Sequence, residues 1–203
     1  PLWPEMAYRR GTSSSIYRQD RGYDGHPTGS GCPSQAKLLD ELSKDEFMAE
    51  ANKLSPEGST YLDLGMIWGG RLLSPTGMFA STVMDPPQNG AEVARHIIFL
   101  TDGEMEPSWS GYSAYGTEYY DKRVTDDGTS QQKSRHTSRF RAVCQAVRAK
   151  GIRIWVIAFG SDLSADLQAC ASPQSSFDAK NSEGLKEAFQ DIAKNVGELR
   201  ITM

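Results

Sequence analysis

The run Arg95-His96-Ile97-Ile98-Phe99-Leu100-Thr101-Asp102-Gly103-Glu104 constrains the fold more than any other stretch of the 203 residues. Its consecutive large apolar residues predict a short strand buried on both faces, as in a parallel sheet. The strand stops abruptly at Thr-Asp-Gly. In open parallel sheets, ligands sit in the crevice beyond the carboxyl ends of the strands. Asp102 therefore stands where a carboxylate could hold a ligand, and Gly103 frees the backbone to turn beside it. The same letters also read as a strand followed by an ordinary Asp-Gly turn.

A second apolar run, Ile152-Arg-Ile-Trp-Val-Ile-Ala-Phe159, predicts another strand, ended by Gly160. Ser176-Phe-Asp178 reads as a short third one. Helical spacing connects them. Phe140, Val143, Cys144 and Val147 share one face of a helix closed by Gly151, and residues 163–170 suggest a short helix. Leu185, Phe189, Ile192, Val196 and Leu199 line a C-terminal helix.

Upstream, residues 36–54 read as one helix, broken near Ser43, where Ser43 and Glu46 form a capping box. Ser59 and Thr60 offer an N-cap for a helix through Leu64, Ile67, Trp68 and Leu72. Its Gly65, Gly69 and Gly70 cost helix propensity and point to close backbone packing or to a loose helix. Strands alternating with helices imply an α/β fold with a parallel sheet and flanking helices.

Two segments stand apart. Residues 1–35 are rich in Gly, Ser, Pro, Tyr and Arg and too poor in apolar residues to build a core. Residues 104–137 show no periodicity, unusual for so long a connection in a compact domain, and carry Trp109, Tyr112, Tyr115, Tyr119 and Tyr120.

Composition narrows the function. A net charge of -4 and a pI near 5.4 lack the basic excess of a nucleic-acid binder. No apolar run reaches the roughly 18 residues of a membrane span, and there is no signal-peptide pattern. The chain opens at Pro1 without an initiator Met, which suggests a processed or partial product. Cys32, Cys144 and Cys170 form no CxxC, and His26, His96 and His136 lie at no zinc-ligand spacing from them. By themselves they could be unrelated thiols, or a pair with one left over.

Thr60 at a helix start and Asp102 at a strand end could converge on a hard cation, which takes oxygen ligands. From spacing alone Thr60 is more often just an N-cap.

Gly58-Ser-Thr60 opening a helix, Ile97-Ile-Phe-Leu-Thr-Asp-Gly103, and Gly151 through Phe159 together resemble the second half of a von Willebrand factor A (vWA) domain. Thr60-Tyr-Leu-Asp-Leu-Gly-Met-Ile-Trp-Gly-Gly-Arg-Leu-Leu-Ser-Pro75, Cys170-Ala-Ser-Pro173 and Leu199-Arg-Ile201 resemble, more narrowly, the vWA-bearing pilus-assembly proteins of the tight-adherence (Tad) system. The likeness covers roughly residues 32–203, so the domain would begin near residue 36, with an insertion at about 104–137.

The resemblance implies a Rossmann-like vWA fold lacking its first strands. It also implies a metal-ion-dependent adhesion site for Mg²⁺, Mn²⁺ or Ca²⁺, with Thr60 and Asp102 as the family's Thr and Asp. The family's Asp-x-Ser-x-Ser motif is absent; the closest string, Asp162-Leu-Ser-Ala-Asp166, comes too late and ends in Asp. The site is thus incomplete in this chain and should hold metal weakly or not at all. The first strand, and any membrane anchor, would lie upstream of Pro1.

The family faces the periplasmic or extracellular side of the bacterial envelope, where disulfides persist. There Cys144 and Cys170 become plausible partners, leaving Cys32 for an upstream cysteine.

The expected function is non-enzymatic: binding of pilus or envelope proteins in pilus assembly or adhesion. The aromatic residues of 104–137 would supply interface anchors, or else pack into a small core of their own. A structural stalk module without metal is the first alternative. The second is a metal-assisted hydrolase using Asp102 with Asp121, Asp126 or Asp127, or a Cys144–His136 nucleophile pair. No Gly-x-Ser-x-Gly elbow or phosphate loop supports it.

Overall fold

The structure is a computed structural model that describes residues 34–54, 59–84 and 92–198. The chain is mixed α/β, with a parallel three-stranded sheet flanked by helices, consistent with a Rossmann-like arrangement. Its described residues form two compact units. One takes the chain up to Tyr61 together with Met105–His136; the other takes Leu62–Glu104 and the chain from Thr137 onward.

The second unit carries the sheet. Strand β1 (Arg95–Thr101) and strand β4 (Ile152–Phe159) pair in parallel, with Ile98 opposite Trp155. Strand β5 (Ser176–Ala179) pairs with the other edge of β4, giving the order β1-β4-β5. The central β4 is the apolar run expected of a strand covered on both sides: Ile154, Trp155, Val156, Ile157 and Ala158 are fully buried.

On one face, Ile97 and Phe99 of β1 meet helix α2 (Leu62–Leu73), and Phe99 packs on Phe140 of helix α5 (Gln132–Ala149) with ring centroids 5.5 Å apart. The glycines of α2 mark close packing rather than a loose helix. A Cβ on Gly70 would sit 2.7 Å from Val147 Cγ2. On the other face, helix α7 (Ser182–Glu198) lies over β4 and β5 and buries Ala188 and Ile192 against Trp155, Ile157 and Ala179. The short helices α3 (Ala80–Val83) and α6 (Ala165–Cys170) complete the unit, and the Ser164 hydroxyl caps α6 by accepting from Leu167 N–H.

Strand β1 departs from expectation. It is not buried on both faces: Ile98 is 42% and Leu100 48% exposed. The cause is positional. Among the described residues β1 has one sheet neighbour, and α7 covers the β4–β5 half of the shared face.

A disulfide joins Cys144 of α5 to Cys170 of α6, with Cα atoms 5.1 Å apart and both residues fully buried. Arg148, one turn beyond Cys144, donates to the carbonyls of Ala169 and Ala171 that end α6. Cys32 lies outside the described residues.

In the first unit, helix α1 (Lys44–Ala51) is shorter than the helix expected over 36–54. Ser43 fixes its start by the reciprocal capping box with Glu46. No residue of α1 is buried, and Leu38, Leu39, Phe47 and Met48 are all exposed.

The unperiodic segment is ordered by local pairing. It contains a two-stranded antiparallel ribbon, β2 (Tyr112–Ser113) with β3 (Gly116–Thr117), and a single helical turn, α4 (Glu118–Asp121). Buried Glu118 holds the loop after α4: its carboxylate accepts from the backbone N–H groups of Arg123, Val124 and Thr125 and from the Thr125 hydroxyl. Gly128 closes this loop at φ +80°, where a Cβ would come within 2.8 Å of Tyr119 O and 2.9 Å of Glu118 O. Only glycine suits that position.

Candidate functional site

At the carboxyl end of β1 the side chain of Thr101 organises the turn. Its hydroxyl donates to Gly103 O at 3.0 Å and accepts from Gly103 N–H at 3.3 Å. Thr101 is buried and Asp102 is exposed. The turn thus takes the chain out of the sheet and leaves Asp102 open to solvent, as a ligand-binding carboxylate at a strand end requires. Gly103 has no positive φ, and open space surrounds its Cβ position. The Thr101 hydroxyl, not glycine's freedom, closes this turn.

Thr60 belongs to the other unit, two residues before the first residue of α2. Its backbone forms an isolated antiparallel bridge with Glu106: Thr60 N–H donates to Glu106 O at 3.1 Å and Glu106 N–H returns to Thr60 O at 3.0 Å. The next side chain extends this fastening, since the Tyr61 hydroxyl donates to Ser108 O and accepts from Ser108 N–H. A pairing partner 46 residues downstream leaves no signal at Thr60 itself.

The described residues contain no group of three His, Cys, Asp or Glu side chains placed to share a metal ion. Thr60 lies in one unit and Asp102 in the other.

The aromatic residues divide into two groups. Trp109 is 39% and Tyr119 42% exposed, their ring centroids 5.7 Å apart, and Tyr120 meets Tyr119 edge-on at 5.0 Å. Tyr119 N–H donates to Trp109 O, so the two rings share a backbone anchor. Tyr115 packs edge-on against buried His136, which also meets Tyr61. Tyr115 thus serves a small local core, while Trp109, Tyr119 and Tyr120 form an aromatic surface. The side chain of Tyr112 lies outside the described residues.

The carboxylates invoked for hydrolysis are occupied in local structure. Asp121 accepts from Thr117 N–H. Asp126 pairs with Arg135 at 2.9 Å. Asp127 accepts from the Ser130 hydroxyl and from the N–H groups of Thr129 and Ser130, which hold its carboxyl well below the usual range. Cys144, bonded to Cys170, has no thiolate to offer.

Sequence reasoning missed one polar pair in the sheet. Trp155 Nε1–H donates to His96 Nδ1 at 3.0 Å. The Arg153 guanidinium lies 4.3 Å above the indole, held by Ser175 Oγ and Pro173 O. Burial first, and then the Arg153 charge, push the His96 pKa below its ordinary value. The residue opposite Ile98 depends on strand register, so neither strand alone announces the pair.

No family model matches the chain, and no curated protein does. Among solved structures it is similar to the pilus adhesin SpaC from Lactobacillus rhamnosus GG, with 15% identity and a TM-score of 0.47 over 76% of this chain. The chain corresponds to 21% of that adhesin's length. No helix among the described residues is long and apolar enough to cross a membrane.

Proposed function

We propose that this chain is a non-enzymatic protein-binding module of the bacterial envelope, acting in pilus assembly or adhesion, and that its sheet unit is the later part of a Tad-type vWA domain. The observation that carries the binding reading is the adjacent, exposed pair Trp109 and Tyr119, backed by Tyr120. Partly exposed Trp and Tyr rings present large rigid apolar area at low entropic cost, and they dominate interface energetics. The vWA reading rests on the strand-end Asp102 and on the Trp-Gly-Gly-Arg-Leu-Leu-Ser-Pro run from Trp68. In that reading an ion would join Thr60 and Asp102 only with further ligands from an Asp-x-Ser-x-Ser segment, and would accept an acidic oxygen of the partner.

The test is capture of pilus subunits from detergent-solubilised envelopes of the source bacterium, with the immobilised chain and its Trp109→Ala/Tyr119→Ala variant. Retention of pilus subunits by the first and at least a tenfold loss with the second, about 1.4 kcal/mol, is expected. Equal retention by both, or none by either, contradicts the proposal.

A further inference from the structure

We infer that Asp102-Gly103 is a site of spontaneous covalent modification, the isomerisation of aspartate to isoaspartate, and that the fold withholds the same reaction from Asp127-Gly128. These are the Asp-Gly pairs of the described residues. The reaction needs no enzyme. The Gly nitrogen attacks Cγ of the preceding Asp, and an N–Cγ bond forms as a Cγ–O bond breaks. The amide proton and the carboxylic hydroxyl leave as one water. Water then opens the five-membered imide. Breaking the new bond restores Asp. Breaking the original peptide bond routes the main chain through Cγ and leaves isoaspartate. Glycine favours the attack because no Cβ crowds the ring.

The step requires a carboxyl free to swing onto the nitrogen and a backbone free to follow. Asp102 meets both conditions. It is exposed, and its carboxylate has no hydrogen-bond or ion-pair partner among the described residues. Both members of the pair lie beyond the end of β1, outside the ladder to β4. Nothing lies within 4 Å of the Cβ position of Gly103. Its N–H rests on Thr101 Oγ1 at 3.3 Å, beyond the usual hydrogen-bond range.

Asp127 meets neither. Its carboxylate accepts from Thr129 N–H and Ser130 N–H, each at 2.9 Å, and from the Ser130 hydroxyl. Swinging onto Gly128 would break all three bonds. Gly128 N–H donates to Thr125 Oγ1 at 3.0 Å, and Tyr119 O and Glu118 O wall in its Cβ position. Two pairs of the same sequence thus differ through their surroundings. Isoaspartate at 102 would add a main-chain methylene just past β1 and move the free carboxylate onto Cα. The strand-end carboxylate therefore has a chemical lifetime, whatever partner the chain binds.

Ageing the full 203-residue chain for several weeks in neutral buffer, followed by peptide mapping, tests the assignment. Isoaspartate leaves the mass unchanged, but it blocks an Asp-specific endoprotease and gives a separate chromatographic peak. In the folded chain the product at 102 should exceed that at 127 by about tenfold or more, since reaction at 127 first breaks three hydrogen bonds. In urea the two yields should converge. Gly103→Ala should suppress the product at 102 in both conditions. Unmodified 102 in the aged folded chain overturns the inference. So do equal yields at the two pairs when folded, a difference that persists in urea, or a yield at 102 unaffected by Gly103→Ala.

Discussion

The indole of Trp155 donates to Nδ1 of His96 across the β4–β1 pair at 3.0 Å, so the imidazole proton resides on Nε2. A charged imidazole would carry a proton on both nitrogens and break this bond. The folded His96 pKa lies below the unfolded value of about 6.5. Above about pH 6.5 the contribution of the pair is therefore fully present. As pH falls below that, the unfolded chain takes up the proton first and stability declines until the folded pKa is passed. Urea midpoints should be lower at pH 5.5 than at pH 7.5, with a smaller difference in His96→Phe. An equal difference in both proteins would assign the effect to other groups.

The Cys144–Cys170 disulfide closes a loop with a sequence separation of 26. In the chain-entropy account this restricts the unfolded ensemble by about 3 kcal/mol. Replacing both cysteines with Ala should lower unfolding free energy by about that amount, and a reductant should bring the unaltered protein to the same range. A denaturation midpoint unaffected by reductant would contradict the structural role.

Two glycines should respond differently to alanine. At Gly70 the new methyl meets Val147 Cγ2, an overpacking cost of about 1–3 kcal/mol offset by roughly 1 kcal/mol of helix propensity. At Gly128 the methyl meets two backbone carbonyls at φ +80°, with no side chain able to yield. Gly128→Ala should therefore be the more destabilising in urea. Gly70→Ala should cost less in a Val147→Ala background. Additivity of those two changes would remove the contact argument.

Divalent ions should bind weakly. Mg²⁺ titration calorimetry is expected to give a dissociation constant above about 1 mM, roughly -4 kcal/mol, since the sequence carries no Asp-x-Ser-x-Ser motif to add ligands to Thr60 and Asp102. Tighter binding, lost in Asp102→Ala, would show that the chain holds a fuller ligand set than its motifs supply.

The sheet strands were legible wherever local composition decides them. The apolar run Ile152–Phe159 is a buried central strand, and Ser176 begins the third. The exposure of Ile98 and Leu100 was not legible, because an apolar run records a preference for burial and not whether a neighbour is present to supply it. Helix α5 begins at Gln132, well before Phe140, its first large apolar residue, and that start was not legible because a polar first turn carries no hydrophobic period. Residues 104–137 gave no pattern because much of the segment is held by carboxylate and hydroxyl bonds to backbone, those of Glu118, Asp127 and Tyr61. Their partners are set by fold and not by spacing. The cysteine pairing came from family resemblance; three thiols alone left it open.

Photo-cross-linking from the aromatic surface in living cells tests the binding account most directly. On the proposed function, a benzoyl-phenylalanine at position 109 or 119 of the chain expressed in its native host should form adducts with pilus or envelope proteins. The same group at position 194, on the exposed side of α7, should form few. Adducts of equal yield and identity from all three positions, or none from 109 and 119, would contradict a protein-binding role for this surface.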